Sequence, residues 1–434
     1  AIDIEFIHLK DDLHNQYVTL RSELSECKAV RTINLDLVPK GDRGYLQGEV
    51  SKQIAIRFEY FLYRKAEQLF QNNSLTVKES VNNRSLSSDL IQPKEWQNKD
   101  DIIENTGLDK LSAPINQTLD EKQYQLEVKL KEAGTHIFSG DNKYVEVIPG
   151  KSELKWSIPN SRWQQTVDNP LYNQIQHMGI VELMLFVDEK TNYLNAFTHI
   201  ATTKQKSSVD KEDLVACILA NGTNYGLYKM ANISDRSMGK LRSVNDSYIR
   251  YETLKESNDQ ISNAIAILPI FAYYHIDDNQ LFSSIDGQKF ECRINTFKAR
   301  YSSKYFAKGK GVSALTLVSN HVPVNTQVIG ANEYEGHFAF DLLYNNTSEI
   351  QPNTLSTDNH GTNNVNFAIL DFFGYTFAPR YAKMKRVFFD LFEVTEEEGG
   401  RIQLKKDVNY KLVAEEWENI QHILCSLSQK TTTQ

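Results

Sequence analysis

A chain of 434 residues, 40% hydrophobic and 24% charged, is too long for one ordinary core, and two to four domains are predicted. No apolar run approaches the ~20 residues that span a bilayer, and the opening AIDIEFIHLKDD lacks the basic start and apolar core of a secretory signal. The net charge of −8 argues against wholesale coating of nucleic acid, although phosphate binding is decided by local charge.

Four dispersed cysteines (Cys27, Cys217, Cys292 and Cys425) form no CxxC pair, which disfavours a zinc site or a disulfide framework and suits a reducing cytoplasm. The start without Met, in mid-pattern, predicts a fragment of a longer protein.

Residues 1–80 are predicted helical, with Ile54, Phe58, Phe61, Leu62 and Leu69 at helical spacing among Arg57, Arg64 and Lys65. The Asn/Ser-rich stretch NNSLTVKESVNNRSLSSDL ends that pattern. From Lys94 to about Ala133 capped helical pieces follow, one of them opening at Ser112-Ala-Pro114. KYVEVIPGKSELKW predicts two short strands with Pro149-Gly150 as the turn. Residues 170–270 are again helical in pattern, except for the apolar run VELMLFVD at 181–188. Beyond Leu281 strand-like runs appear (LFSSID, SALTLVSN, NTQVIGA, TLSTD), with helix-like stretches near 337–344 and 362–373. The acidic EVTEEEGG at 393–400 predicts a surface turn or a boundary. The fold class is therefore α+β and multidomain, with mainly helical N-terminal and middle regions before a mixed α/β part. The predicted segments are 1–95 (helical, of DNA-binding or dimerisation type), 96–168 (helices and short strands), 169–276 (helical scaffold), 277–390 (core) and 391–434 (start of a helical insertion).

Two aspartates each end a strand-like run, Asp286 in SSIDGQKF and Asp358 in STDNHGTNN. Carboxylates at neighbouring strand ends are hard oxygen ligands for Mg²⁺, and such a pair suits two-metal chemistry across a scissile phosphate. Each equally suits a turn, and Asp358 a helix cap. Between them, Lys289, Arg293, Lys298, Arg300, Lys304, Lys308 and Lys310 are accompanied by a single acid, Glu291, with Tyr301, Tyr305 and Phe306 interleaved. That local excess suits phosphate contacts as well as a solvated basic hairpin. Arg380, Lys383, Lys385 and Arg386 form a second basic cluster. His360 suits either the orientation of a ligand or phosphate, or a place in a turn. Asp188, at the end of VELMLFVD, imitates Asp286 but lacks the basic segment, and a structural role is expected. His199, His321 and His337 are too dispersed for a metal site. ILANGTNYGLYKMA lacks the P-loop context, so ATP use is not expected. Asp235, Arg236, Lys240, Arg242, Arg250 and Tyr251 suit either DNA contact or a solvated surface.

In order along the chain, SSIDGQKF, VIGANEYEGHFAFDLLY, STDNHG and FAILDFFGYTFAPR resemble the catalytic core of Tn3-family transposases. VELMLFVDEKTNYLNAFTHI, ILANGTNYGLYKMA and SYIRYETL resemble the middle region of that family, and YFLYRKAEQLFQNNSLTVKES is a looser match to its pre-core segment. The resemblance covers roughly residues 50–390. It implies an RNase H-like core with an Asp-Asp-Glu metal triad, in which Asp286 and Asp358 are the first two members and bind Mg²⁺, with Mn²⁺ able to substitute. It further implies 3′-end cleavage and strand transfer between terminal inverted repeats in replicative transposition, acting on double-stranded transposon and target DNA. A homodimer in the bacterial cytoplasm, associated with the nucleoid and not with membrane, would process paired ends. Lys289, Arg293, Lys298, Arg300, Lys304, Lys308, Lys310 and Arg380 are the expected DNA contacts. Glu393, Glu396, Glu397, Glu398, Glu415, Glu416 and Glu418 follow the APR strand too soon for the third acid, which is expected beyond Gln434. The alternatives are a non-catalytic DNA-binding or assembly fragment, or another metal nuclease on the same fold.

Overall fold

The computed structural model describes residues 6–8, 35, 38–47, 52–71, 75–77, 85–148, 154–157, 170–201, 209–277, 279–294, 296–395, 401–406 and 408–432. They divide into two compact units. One runs to Ser112 and includes Glu415–Thr433, and the other is Ala113–Ala414 with Gln434. Among the described residues no helix is long and apolar enough to cross a membrane.

In the first unit, the 3–4 spacing of Ile54, Phe58, Phe61 and Leu62 forms the predicted helix α1 (Lys52–Gln71). That face closes over Val38 and Leu46. The region is not all helical, however. β1 (Phe6–His8) pairs antiparallel with β2 (Leu75–Val77). Two three-residue runs are too short to show a period of two, and their strand character comes from their pairing with each other. Helix α2 (Lys99–Thr106) ends on Gly107 in the left-handed conformation, at φ 67°, and α3 (Asp109–Ser112) follows. The helix Trp417–Ser428 belongs to this unit. The His422 ring stacks on Trp96 at 4.4 Å, and His422 Nε2 is 2.8 Å from the Ile91 carbonyl. The Ile91 N–H donates to Ser426 Oγ at 3.0 Å.

The second unit opens with α4 (Ile115–Phe138), then β3 (Val145–Val147) antiparallel to β4 (Leu154–Trp156). The predicted turn at Pro149-Gly150 lies outside the described residues. The run VELMLFVD is helical, within α5 (Ile180–Thr191), contrary to the expectation of a break in the helical pattern. Gly179 in extended backbone starts α5 and Asn192, left-handed at φ 56°, stops it. These flanks decide against a strand, which an apolar run alone leaves open. Helices α6 (Lys211–Gly222), α7 (Gly226–Ile233), α8 (Met238–Tyr248) and α9 (Tyr251–Ala266) follow. They enclose a core of Tyr193, Leu194, Phe197, Leu214, Val215, Met230 and Leu241.

The short helix α10 (Pro269–Tyr273) leads into a six-stranded sheet. Its strands are β5 (Phe282–Glu291), β6 (Arg300–Tyr301), β7 (Lys310–Ser319), β8 (Val322–Gly330), β9 (Thr354–Thr357) and β10 (Thr376–Phe377). The order runs β8, β7, β5, β9, β10, with β6 pairing only the first residues of β7. β5, β7 and β8 are an antiparallel meander, whereas β9 and β10 are parallel to β5. The β7–β8 turn holds Asn320 and His321, both at positive φ, as a two-residue hairpin loop requires. Leu315 and Leu317 are fully buried on one face of β7, as its period of two dictates. The basic segment is not a plain hairpin, because the one-turn helix α11 (Ser303–Phe306) interrupts it.

Helix α12 (Ala339–Tyr344) is tied to β8 by Asn325 Nδ2, which donates to the Leu342 carbonyl at 2.8 Å. It is linked to α13 (Asn364–Phe372) by the Phe340–Phe373 ring contact at 4.6 Å. α14 (Met384–Leu391) precedes β11 (Phe392–Thr395), which pairs antiparallel with β12 (Arg401–Leu404). Glu393 is therefore a strand residue. Glu396, Glu397 and Glu398 of the predicted acidic turn lie outside the described residues.

Candidate active site

β5 alternates strictly: Ser283 and Ile285 are buried, whereas Ser284 and Asp286 are exposed. β9 runs beside it in parallel, and the last paired rung is Ile285 with Thr357. The next residue on each strand is an aspartate, Asp286 and Asp358. Adjacent strands lie about 4.8 Å apart, so the ladder itself makes the two carboxylates neighbours. Both line one cleft of about 590 Å³, together with Gly287, Lys289, Tyr301, Lys304, Tyr305, Tyr334, Glu335 and His360.

Asp358 follows the end of its strand as predicted, but Asp286 does not end β5. Pairing with β7 continues past it to Glu291, and only the pairing with β9 stops there. Gly287 is thus a strand residue and not a turn. A Cβ at that position would lie 2.5 to 2.8 Å from the Glu335 carboxylate atoms, so a side chain there has to displace that carboxylate.

Asp286 Oδ1 accepts from the Gly287 N–H at 2.8 Å. Asp358 Oδ1 accepts from the N–H groups of His360 at 2.9 Å and Gly361 at 3.3 Å, and Oδ2 lies 3.0 Å from His360 Nδ1. Burial raises the Asp358 pKa, but the His360 ring and those two N–H groups outweigh it and hold the carboxyl below the usual carboxylate range. Asp358 therefore closes a turn. The cap of α13 is Asn363, whose side chain accepts from the Asn366 N–H at 2.8 Å.

This pair of carboxylates fits a hard divalent cation. The donors are oxygens only, Asp358 is held ionised, and the cleft is open for water and phosphate oxygens, which complete the shell of Mg²⁺. Among the described residues no three His, Cys, Asp or Glu side chains converge as ligands.

The predicted basic residues fall into different places. Lys289, with its side chain 15% exposed, pairs with Glu335 and donates to Ser313 Oγ at 3.1 Å. Lys304 stands over the Tyr305 ring at 4.9 Å. Its pKa is raised by the hydrogen bond to Tyr305, then by the charges of Tyr305, Glu335 and Asp358, against a lowering by desolvation. Lys298 Nζ donates to the Val328 carbonyl at 2.7 Å, and Arg300 Nη1 to the Phe297 carbonyl at 2.8 Å. Arg293, Lys308 and Lys310 are exposed. Arg380 is exposed as well, and its N–H donates to the Thr357 carbonyl at 2.8 Å, beside the end of β9.

Sequence reasoning missed Glu335, Tyr334 and Asn366. The fully buried Asn366 donates from Nδ2 to the Gly336 carbonyl at 2.9 Å and to the Gly361 carbonyl at 3.1 Å. It joins the Asp358 turn to the segment that carries Glu335. Tyr334 donates from its hydroxyl to the Thr362 carbonyl at 3.2 Å. No single-residue pattern marks these positions, since each acts through a contact distant in sequence.

Three other predicted candidates, Asp188, Arg236 and Lys240, have structural surroundings. Asp188 is buried, paired with Lys211 at 2.5 Å, and accepts from the Leu194 N–H at 3.0 Å. Arg236 is held by Asp210 at 2.8 Å, Asp213 at 3.2 Å, Asp235 at 3.1 Å and Glu212, and Lys240 by Asp213 at 2.6 Å.

A family model described as the Tn3 transposase DDE domain matches residues 182–434. The chain is similar to the transposase for transposon Tn2501 of Escherichia coli, 24% identical over 393 residues, which are 87% of this chain and 38% of that protein. It is 22% identical over 305 residues to the transposase for transposon gamma-delta of Escherichia coli (strain K12), covering 68% of this chain and 29% of that one. With the transposase for transposon Tn4556 of Streptomyces fradiae it is 23% identical over 262 residues, 58% of this chain and 28% of the relative. The chain thus spans well under half the length of these curated relatives.

Proposed function

The chain belongs to the Tn3 transposase family through its DDE domain, and from that premise we propose that Asp286 and Asp358 are the two aspartates of its catalytic triad. The observation that carries this is their position just past the last rung of the β5–β9 ladder, in one cleft. The strand order, an antiparallel meander of three followed by two parallel strands, supports an RNase H-like core.

When bound between these carboxylates, Mg²⁺ or Mn²⁺ supplies charge stabilisation at the phosphate and activation of the attacking oxygen. The residues of the chain orient that chemistry. The two backbone N–H groups and the His360 ring fix the Asp358 carboxylate and keep it deprotonated. Lys304, Arg293, Lys308, Lys310 and Arg380 position the DNA strand by its phosphates, while Lys298 and Arg300 fix the turn that precedes the cleft wall. Lys289 holds Glu335 against β5, and so sets the floor of the cleft beside Asp286. The reaction is cleavage at the 3′ ends of terminal inverted repeats, then attack of the freed hydroxyl on target DNA, in a homodimer that holds both ends.

The test uses the full-length transposase with paired inverted-repeat ends and Mg²⁺. Asp286→Ala and Asp358→Ala each abolish 3′-end cleavage and leave end binding in place. Cleavage retained by either variant overturns the assignment.

A further inference from the structure

Between β5 and β7 the chain holds Phe297 in water at 92% exposure, with Ile294 at 79%. A phenylalanine so exposed forgoes nearly all the burial its side chain offers, and it is not on a slack loop. The Ala299 N–H donates to the Thr296 carbonyl at 3.2 Å, closing a turn with Phe297 and Lys298 at its centre. Three further features pin that turn. Ala299 is buried, Lys298 Nζ is bonded to the Val328 carbonyl of β8 at 2.7 Å, and the Arg300 guanidinium holds the Phe297 carbonyl at 2.8 Å.

The segment that carries the turn is rich in cations along the sequence. Residues 292–310 contain Arg293, Lys298, Arg300, Lys304, Lys308 and Lys310 and no acid, in a chain whose total is −8. An apolar knob on a cation-rich segment matches a partner that is anionic outside and apolar within. Duplex DNA has that build, with phosphates on the surface and stacked bases inside. The position favours DNA further. Tyr301, only four residues on, lines the cleft of Asp286 and Asp358, so Phe297 stands within about 14 Å of that cleft wall along the chain.

We propose that Phe297, backed by Ile294, is a wedge that enters the DNA base stack beside the scissile phosphate and opens a base step there. This rests on the DNA-cleaving function proposed above. The Lys298 and Arg300 contacts brace the turn from behind, and Arg293 meets a flanking phosphate, so the backbone is gripped beside the opened step.

The experiment uses the full-length protein in metal-free buffer. The probe is nicked DNA duplexes of random sequence carrying 2-aminopurine on either side of the nick. Binding is followed by anisotropy and unstacking by the rise in 2-aminopurine emission. Wild-type protein gives a several-fold rise, Phe297→Ala loses it, and Phe297→Leu keeps part of it. Affinity falls by at most about tenfold in Phe297→Ala, because the stacking lost is partly offset by the step no longer opened. The exposure of Phe297 leaves the fold of these variants intact. Binding without a rise, or a rise unchanged in Phe297→Ala, overturns the wedge and leaves the DNA function standing. Failure of the wild type to bind any of these duplexes overturns both. Phe297-dependent binding to anionic vesicles, or a change of oligomeric state in Phe297→Ala with no loss of the rise, assigns the knob to another partner and overturns the wedge.

Discussion

Replacing Gly287 by Ala tests the construction of the cleft floor. The added Cβ meets Glu335 Oε1 at 2.5 Å, Cδ at 2.7 Å and Oε2 at 2.8 Å, so the carboxylate must leave. In leaving it gives up Lys289 and the hydrogen bond from Ser313 Oγ at 3.2 Å. The side chains of that ion pair are 15% and 21% exposed. Breaking a fully buried pair costs about 3–5 kcal/mol and breaking an exposed one about 0–1 kcal/mol. This pair lies between these limits and, with partial re-solvation of both ends, the expected loss is about 2 kcal/mol. The assay is urea unfolding of wild type, Gly287→Ala, Glu335→Ala and the double variant. Without the Glu335 carboxylate the alanine has no obstacle, and its cost drops below about 0.5 kcal/mol, a change as small as surface substitutions produce. An interaction energy near 1.5 kcal/mol or more follows from the difference. Equal costs in the two backgrounds refute the close-approach explanation of Gly287.

Three further outcomes follow from the geometry. Asn366→Ala removes the side-chain donor from the Gly361 carbonyl and from the Gly336 carbonyl, which keeps the Ala339 N–H, at about 1–2 kcal/mol, and hydrogen exchange at the His360 and Gly361 amides accelerates as the Asp358 turn loosens. Lys211→Met strands the buried Asp188 carboxylate. Because Lys211 itself is half exposed, the cost is discounted to about 1–3 kcal/mol, read by thermal unfolding. Asp210 is raised by burial, but hydrogen bonds from Arg236 and Lys240 outweigh this and set its pKa below the ordinary carboxylate range. A depressed folded pKa contributes stability that is fully present above the unfolded value, near ~3.9. It is lost as pH falls through the lower folded value. Asp210→Asn therefore flattens the acid limb of the stability profile, and an unchanged limb contradicts the ion pairing.

Asp286 and Asp358 stand out in the sequence less by the local pattern, a short β run followed by Asp, which suits a turn equally, than by the basic segment between them and the ordered family motifs around them. The helix α1 was legible locally, in the 3–4 spacing of Ile54, Phe58, Phe61 and Leu62. What failed was the inference from a single local cue. Gly287 after Asp286 signals a turn by composition, yet the strand continues, and the glycine answers to a carboxylate 48 positions away in the chain. VELMLFVD has the composition of a strand, and its helical state is decided by Gly179 and Asn192 at its flanks. The β1–β2 pair joins segments some 70 residues apart, and no window along the sequence contains both. Glu335 and Asn366 belong to the same class, since each matters only through what it touches.

The basic segment shows why charge counted along a sequence does not translate directly into a surface. Seven cations between Lys289 and Lys310 suggest one phosphate-binding strip, but folding gives them separate tasks. β5 turns Lys289 toward Ser313 and Glu335, because odd-numbered positions of that strand face the interior. Lys298 and Arg300 hold backbone carbonyls and keep the Thr296–Ala299 turn fixed. Lys304 lines the cleft as Lys289 does, but stands over Tyr305 and under the influence of Asp358. Arg293, Lys308 and Lys310 remain for solvent or phosphate. Charge reversal at these sites should therefore split by location. Lys308→Glu is expected to weaken DNA binding in a salt-dependent manner and leave stability within about 0.5 kcal/mol, whereas Lys289→Glu unfolds the floor of the cleft by placing two acids together. A common loss of stability in both variants would mean that the seven cations form one surface after all.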